Sequence, residues 1–291
     1  MSGKLKFAPE RRKKFISIAI PSSLVKDTPH LREKVSKIGL IGRIASIYKI
    51  EEIIIYLDKF YSEQFKEARL ISLILEYMEM PQYLRKYTFK IMPQLKYVGV
   101  LPPLRTPNHL VTNKIEELRP GDIREGIVIN SDRKISLVNV GFKKLAKVKY
   151  YFKEGSRVTV RIKTVKKEIW ANPVKKEEIS IYWGYRVIFP KTSLGDIIRR
   201  MKYDVVIATS KYGRNVNECI NELNDKWEKA KRILIIFGSP AHGVDEHLLK
   251  ENIITDDVTN FKINMIPDQG VETVRTEEAV NASLSILNLV D

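Results

Sequence analysis

Cysteine is all but missing from this chain: Cys219 is the one thiol in 291 residues. A lone cysteine excludes an intramolecular disulfide framework and any zinc site built on several thiolates, and it fits a reducing compartment. Cys219 lies in NVNECINELNDKWEKA, whose apolar spacing is helical. It is therefore expected to be a small core residue and not a nucleophile, since no suitably placed histidine accompanies it. Histidine is scarce as well. The four present are scattered without metal-ligand spacing, and His109 and His242 read as ordinary loop residues. No apolar run approaches the length of a membrane span. The stretch MSGKLKFAPERRKKF is basic and lacks the apolar core of a secretory leader, so a cytoplasmic setting is expected. The glycine signatures of nucleotide binding are missing too: there is no loop ending in Gly-Lys-Ser/Thr and no Gly-x-Gly-x-x-Gly opening a helix.

Acidic side chains are in deficit. Against 35 Asp and Glu stand 51 Lys and Arg, a net charge of +16 and an isoelectric point near 9.6. Such an excess points to a polyanionic partner, nucleic acid being the commonest. The excess is patchy. Residues 1–40 carry ten basic against three acidic residues, and residues 133–167 twelve against one, Glu154. Residues 241–291 reverse the balance, with three against ten. A polyanion would be gripped by the first two regions and not by the last.

Apolar residues make up 44% of the chain, enough for a globular core. FISIAIPSS (15–23) reads as a short buried strand, followed by a helix with a cap signal at Thr28 and Pro29 in its first turn. EEIIIYLD (51–58) is an unbroken apolar strand of the kind found in parallel sheets, and SEQFKEARLISLILEYME is a long amphipathic helix. From about residue 95 the pattern changes to short alternating segments with turns at NSDRK, VGFKK and KEGSR, indicating a small antiparallel barrel of OB type. Its polar face is rich in Lys and Arg, and Tyr150, Tyr151, Phe152 and Trp170 lie nearby, as stacking platforms or as plain barrel core. After residue 183 the α/β rhythm returns, with strands at 183–190, 203–210, 232–239 and FKINMIP. The expected architecture is an α/β domain of parallel strands, residues 1–94 plus 183–291, interrupted by a β-barrel insert at 95–182. Two strands before residue 95 are too few for a sheet covered on both faces.

Three loops follow strand C-termini, ATSKYGR, FGSPAHG and IPDQGVETVR, and open α/β sheets bind ligands at those ends. FGSPAHG followed by INMIPDQGVETVRTEEAV resembles the C-terminal part of the SPOUT superfamily of RNA methyltransferases. LPPLRTPNHL, REGIVI, YWGYRV and ATSKYGR extend the likeness to the archaeal and eukaryotic branch with an OB-like insert, regarded as uridine-N3 RNA methyltransferases, over nearly the whole chain. The resemblance implies a C-terminal trefoil knot whose loops hold S-adenosylmethionine. By that likeness Gly238 and Gly243 line one side, with Thr209. Asn264, Met265, Ile266 and the segment Gly270 to Arg275, including Thr273 and Val274, wrap the adenine and the methionine. The last helix locks the loop and pairs with its counterpart in a homodimer, and the substrate is RNA, ribosomal in first place.

A methyl group on a sulfonium is already activated, so the site has to hold the acceptor in line and exclude water. Uridine N3 must in addition lose a proton, and the resulting anion calls for a cation. Arg275 is the expected cationic group, with Arg214 second; Glu277 or Asp268 is the expected base. Ion pairing of Arg275 with Glu272 or Glu278, and a first-turn acid role for Glu277, are the plainer alternatives. On the barrel, Lys143, Lys144, Lys147 and Lys149 are expected to meet phosphates, together with Arg157 and Arg161. Two further readings stay open beside base methylation: an inactive RNA-binding scaffold on the same body, and a ribose 2′-O-methyltransferase.

Overall fold

The structure is a computed structural model and describes residues 7–58, 64–110, 114–239 and 241–290. In chain order its elements are β1 (Phe15–Pro21), α1 (Leu31–Ile47), β2 (Glu52–Tyr56), α2 (Gln64–Glu79) and α3 (Gln82–Thr88). β3 (Ile123–Ser131), β4 (Ser136–Asn139), β5 (Ala146–Val148), β6 (Arg157–Val165) and β7 (Ile169–Pro173) follow. The last part comprises β8 (Arg186–Ile188), α4 (Leu194–Met201), β9 (Val205–Asn215), α5 (Val216–Lys229), β10 (Arg232–Ile236), α6 (Val244–Leu249), α7 (Thr255–Val258), β11 (Phe261–Asn264) and α8 (Thr276–Val290).

Two compact units emerge. One comprises Arg12–Glu79, Pro93–Pro103 and the described chain from Tyr185 onward; the other comprises the described residues up to Arg11, Met80–Met92 and Leu104–Gly184. In the first, six parallel strands form one sheet in the order β11-β9-β10-β1-β2-β8. β1 and β2 are buried almost throughout, as their unbroken Ile-rich runs require when both faces of a parallel sheet are covered. One face packs Ala19, Ile54, Val206 and Leu234 against Leu194 and Ile197 of α4 and Val244 and Leu248 of α6. Ile18, Ile53, Ile207 and Ile235, pointing the other way by strand alternation, are fully buried as well.

The elements depart from the sequence expectation at several points. The cap of α1 is His30, not Thr28, whose hydroxyl turns to Asp27 Oδ1 at 3.1 Å; a residue before proline is pushed out of the helical region. β8 keeps only three residues of the expected 183–190, because Trp183 is buried elsewhere and donates Nε1 to Glu125 at 2.6 Å. α7 was not legible at all, being one turn long. β9 does not end at residue 210 but runs on to Asn215.

The second unit holds a closed barrel in the order β3-β4-β5-β7-β6. It is not wholly antiparallel: β5 and β7 run parallel, while the other pairs are antiparallel. Its core is small and β-branched, with Val128, Val138, Val140, Val148, Val160, Ile162 and Ile169 closing on one another. α3 is pinned onto it. Tyr83 donates its hydroxyl to Glu125 O at 2.8 Å, and its ring lies 5.3 Å from the fully buried Arg124 guanidinium. Gly141, at φ +95, leaves room for that ring, since a Cβ there would meet Tyr83 at 2.9 Å. Among the described residues no helix is long and apolar enough to cross a membrane.

Candidate active site

The three neighbouring strands β11, β9 and β10 carry a cavity of about 350 Å³ at their C-terminal ends. It owes its shape to a register shift. β11 pairs Phe261 and Lys262 with Ile207 and Ala208 of β9, then jumps to pair Ile263 and Asn264 with Arg214 and Asn215. Residues 209–213 of β9 are thus left out of that ladder, and Thr209, Ser210, Lys211 and Tyr212 line the cavity. Gly213 permits the crossing, because a Cβ there would meet Lys262 O at 2.6 Å.

The walls are tied to one another. Thr209 Oγ1 donates to Ile236 O at 2.9 Å, and Tyr56 donates its hydroxyl to Phe237 O at 2.8 Å. Burial, then the charges of Asp58 and Glu251, push the Tyr56 phenol well above its ordinary value, so it remains a donor. Thr276 Oγ1, at the start of α8, donates to Gly238 O at 3.1 Å. Asn264 bridges by donating Nδ2 to Lys211 O at 3.2 Å and accepting from Ile266 N at 3.0 Å. At Gly238 a Cβ would meet His242 O at 2.8 Å, so only glycine there allows this close approach.

Of the expected cofactor residues, Thr209, Gly238, Gly243, Asn264, Met265, Ile266, Thr273 and Val274 all line this one cavity. Gly270 is exposed on the same loop and does not line it. The expected chemical groups are placed differently. Arg275 is exposed next to the cavity-lining Val274 and Thr276; neither Glu272 nor Glu278 pairs with its side chain, and Glu278 instead accepts its backbone N–H at 2.9 Å. Arg214 is held by Glu222 at 3.0 Å. Glu277 is buried, lies 3.6 Å from Lys37 Nζ on α1, and is not part of the cavity wall. Asp268 is exposed in a left-handed turn at φ +53 and does not line the cavity either. Cys219 is buried, its thiol pushed up first by desolvation.

His242 reads from the sequence as an ordinary loop residue, and Glu246 is passed over. Both line the cavity, and His242 Nδ1 lies 2.7 Å from Glu246 Oε2. The other carboxylate oxygen accepts Gly243 N at 3.3 Å, so the acid that orients the imidazole is itself fixed. The backbone of His242 is held by Ser239, whose N–H donates to His242 O at 2.8 Å and whose hydroxyl accepts His242 N at 3.0 Å. The hydrogen bond to His242 is the first cause holding the Glu246 carboxyl below its usual range. Behind them His247 is buried, edge-on to Tyr56, and lowered to about 4 by burial first and then by His242. It is therefore uncharged at neutral pH. The i, i+4 spacing of His242 and Glu246 at a helix start was the available signal.

On the barrel, Lys143, Lys144 and Arg161 are exposed. Lys147 and Lys149 stand over the ring of Trp170 at 5.7 and 5.5 Å. Arg157 is turned to the buried Glu125 at 2.7 Å, which also accepts Thr159 Oγ1 at 2.8 Å.

A family model described as "Putative RNA methyltransferase" matches residues 15–287. The chain is 30% identical, over 94% of its length, to an uncharacterized protein of Halobacterium salinarum, of which the match covers 99%. It is likewise 30% identical over 94% of its length to the 28S rRNA (uridine-N(3))-methyltransferase of Drosophila melanogaster, where the match covers 61% of that protein. With the human enzyme of the same name the identity is 28%, over 94% of this chain and 77% of the relative.

Proposed function

The chain belongs to this family of RNA methyltransferases, and on that premise we propose that it uses S-adenosylmethionine to methylate N3 of a uridine in ribosomal or other structured RNA. The observation that carries the reading is the cavity where three strand-end loops meet, since eight of the nine residues expected to hold the cofactor line it. Its volume of about 350 Å³ falls in the range of small-molecule sites. Its lining suits the group: Met265, Ile266 and Val274 offer an apolar wall for adenine, Thr209, Asn264 and Thr273 offer polar side chains, and Asp245 and Glu272 offer negative charge to a cationic ligand.

Bound S-adenosylmethionine supplies a methyl group activated on sulfur. The remaining demands fall on the chain. The loops exclude water and fix the acceptor base in line. His242 takes the N3 proton at Nε2, because an imidazole that donates Nδ1–H to Glu246 carries its basic lone pair on Nε2. Arg275, exposed at the loop end, is the group available to the uracil anion. The exposed barrel lysines Lys143, Lys144 and Lys149 meet phosphates in this reading, in an OB-type barrel. The fold is proposed to be the knotted SPOUT class, supported by the ties of Thr276 to Gly238 and of Lys211 Nζ to Glu272 O at 3.5 Å, which bind all three loops together. The working form is proposed to be a cytoplasmic homodimer.

Calorimetric titration with S-adenosylmethionine, followed by nucleoside mass spectrometry of treated RNA, tests the reading. Binding and the appearance of 3-methyluridine are expected. Absence of binding at millimolar cofactor, or methyl label on ribose O2′ alone, overturns it.

A further inference from the structure

We propose that Trp170, on the outer wall of the barrel, is a stacking platform for one base of a single-stranded RNA segment, with Lys147 and Lys149 receiving the adjoining phosphates. The inference rests on the RNA-substrate reading above but concerns a surface separate from the residues lining the cavity.

β5 and β7 run parallel with Lys147 directly opposite Trp170. Ala146 and Val148 on the one strand and Ile169 and Ala171 on the other belong to the barrel core. Alternation therefore turns Lys147, Lys149 and Trp170 outward. The core closes without this ring, since the cluster of buried residues does not include it. The contrast with the other two indoles is direct: Trp183 and Trp227 are 2% and 1% exposed, whereas Trp170 is half-buried on a basic wall. Both ammonium groups already sit over its face, at 5.7 and 5.5 Å from the ring centre. Lys147 is anchored by Glu168 at 2.6 Å. Lys149 is exposed and has no acidic partner among the described residues.

An aromatic face flanked by two cations matches one chemical unit, a nucleotide with phosphates on either side. A base laid on the indole displaces the ammonium groups from the ring to the backbone oxygens, so stacking and ion pairing replace the two cation–π contacts. The platform selects unpaired RNA, because bases inside a helix stack on one another and present no face to a protein. An acidic peptide would satisfy the lysines and leave the ring unused.

The test titrates the full-length protein with an oligouridylate of about ten nucleotides at low salt and follows tryptophan emission. Trp170 is the most accessible of the three indoles, so strong quenching is expected with the single strand and little with a duplex of equal charge. Trp170→Leu should abolish the quench and weaken binding about tenfold, whereas Trp170→Phe should stay within about threefold of the parent. The double variant Lys147→Gln, Lys149→Gln should reduce the slope of log affinity against log salt by about 1.4, two contacts at ~0.7 each. Equal quenching by duplex or by polyglutamate overturns the proposal, as does unaltered oligonucleotide binding by Trp170→Leu. Those results would leave the methyltransferase reading standing, because cofactor calorimetry on the same variants reports it separately.

Discussion

His242 and Glu246 show how little a side chain's name says about its task. Four residues apart, they form a hydrogen-bonded pair on the cavity wall, with the carboxylate also fixed by Gly243 N. If His242 takes the uridine proton, His242→Gln should lower kcat by about 10²–10⁴-fold while the S-adenosylmethionine dissociation constant stays within about twofold, read by single-turnover kinetics and calorimetry on one preparation. A parallel loss of cofactor affinity would instead make the residue a cofactor contact. Glu277 is predicted to behave in the opposite way. Its carboxylate is buried against Lys37, which Asp27 also contacts at 3.0 Å. Glu277→Gln should cost about 1–3 kcal/mol in urea unfolding, with turnover per folded molecule preserved. Normal stability joined to lost turnover would restore Glu277 as a chemical group.

α6 carries a pH dependence of its own. His247 sits on it in a buried position, edge-on to Tyr56 at 5.5 Å between ring centres. Burial first and His242 second lower its titration to about 4 in the folded state. The unfolded imidazole titrates near ~6.5, so between these values the unfolded chain binds a proton that the folded chain refuses. The folded state is favoured fully above about pH 6.5, and up to roughly 3 kcal/mol is lost as pH falls toward 4. Melting temperatures taken from pH 8 to pH 4 should decline over that window, and His247→Phe should flatten the decline. Parallel curves for the two proteins would assign the acid sensitivity elsewhere.

The α/β unit leaves apolar side chains uncovered on two helices that pack together. α1 exposes Leu40 and Ile47, at 44% and 55%, and α8 exposes Leu289 at 87%. Leu40 and Ile47 are two turns apart and share one side of α1. The proposed homodimer, if built through this surface, would cover them, whereas a monomer leaves them in water. Sedimentation should therefore give a dimer for the parent protein, and Leu40→Glu with Ile47→Glu should give a folded monomer. A monomeric parent at micromolar concentration would rule the assembly out.

The local patterns of the chain were sufficient for much of this. Unbroken apolar runs such as EEIIIYLD demand burial on both faces and so a parallel sheet; alternation through Arg157–Val165 demands a barrel wall with one wet side; the loops FGSPAHG and IPDQGVETVR announce a strand-end site. Periodicity reports each residue's own surroundings, and those are legible one segment at a time. Packing decided the rest. The jump in register between β9 and β11 that turns Thr209–Tyr212 into a cavity wall depends on pairing between segments some fifty residues apart, which no local period encodes. The same holds for Glu277, which reads as a helix-start acid until α1 brings Lys37 to it, and for Trp170, which the parallel pairing of β5 with β7 sets opposite Lys147. Contacts of that kind are chosen by the free energy of the whole packed arrangement, because only the assembled fold brings their partners together.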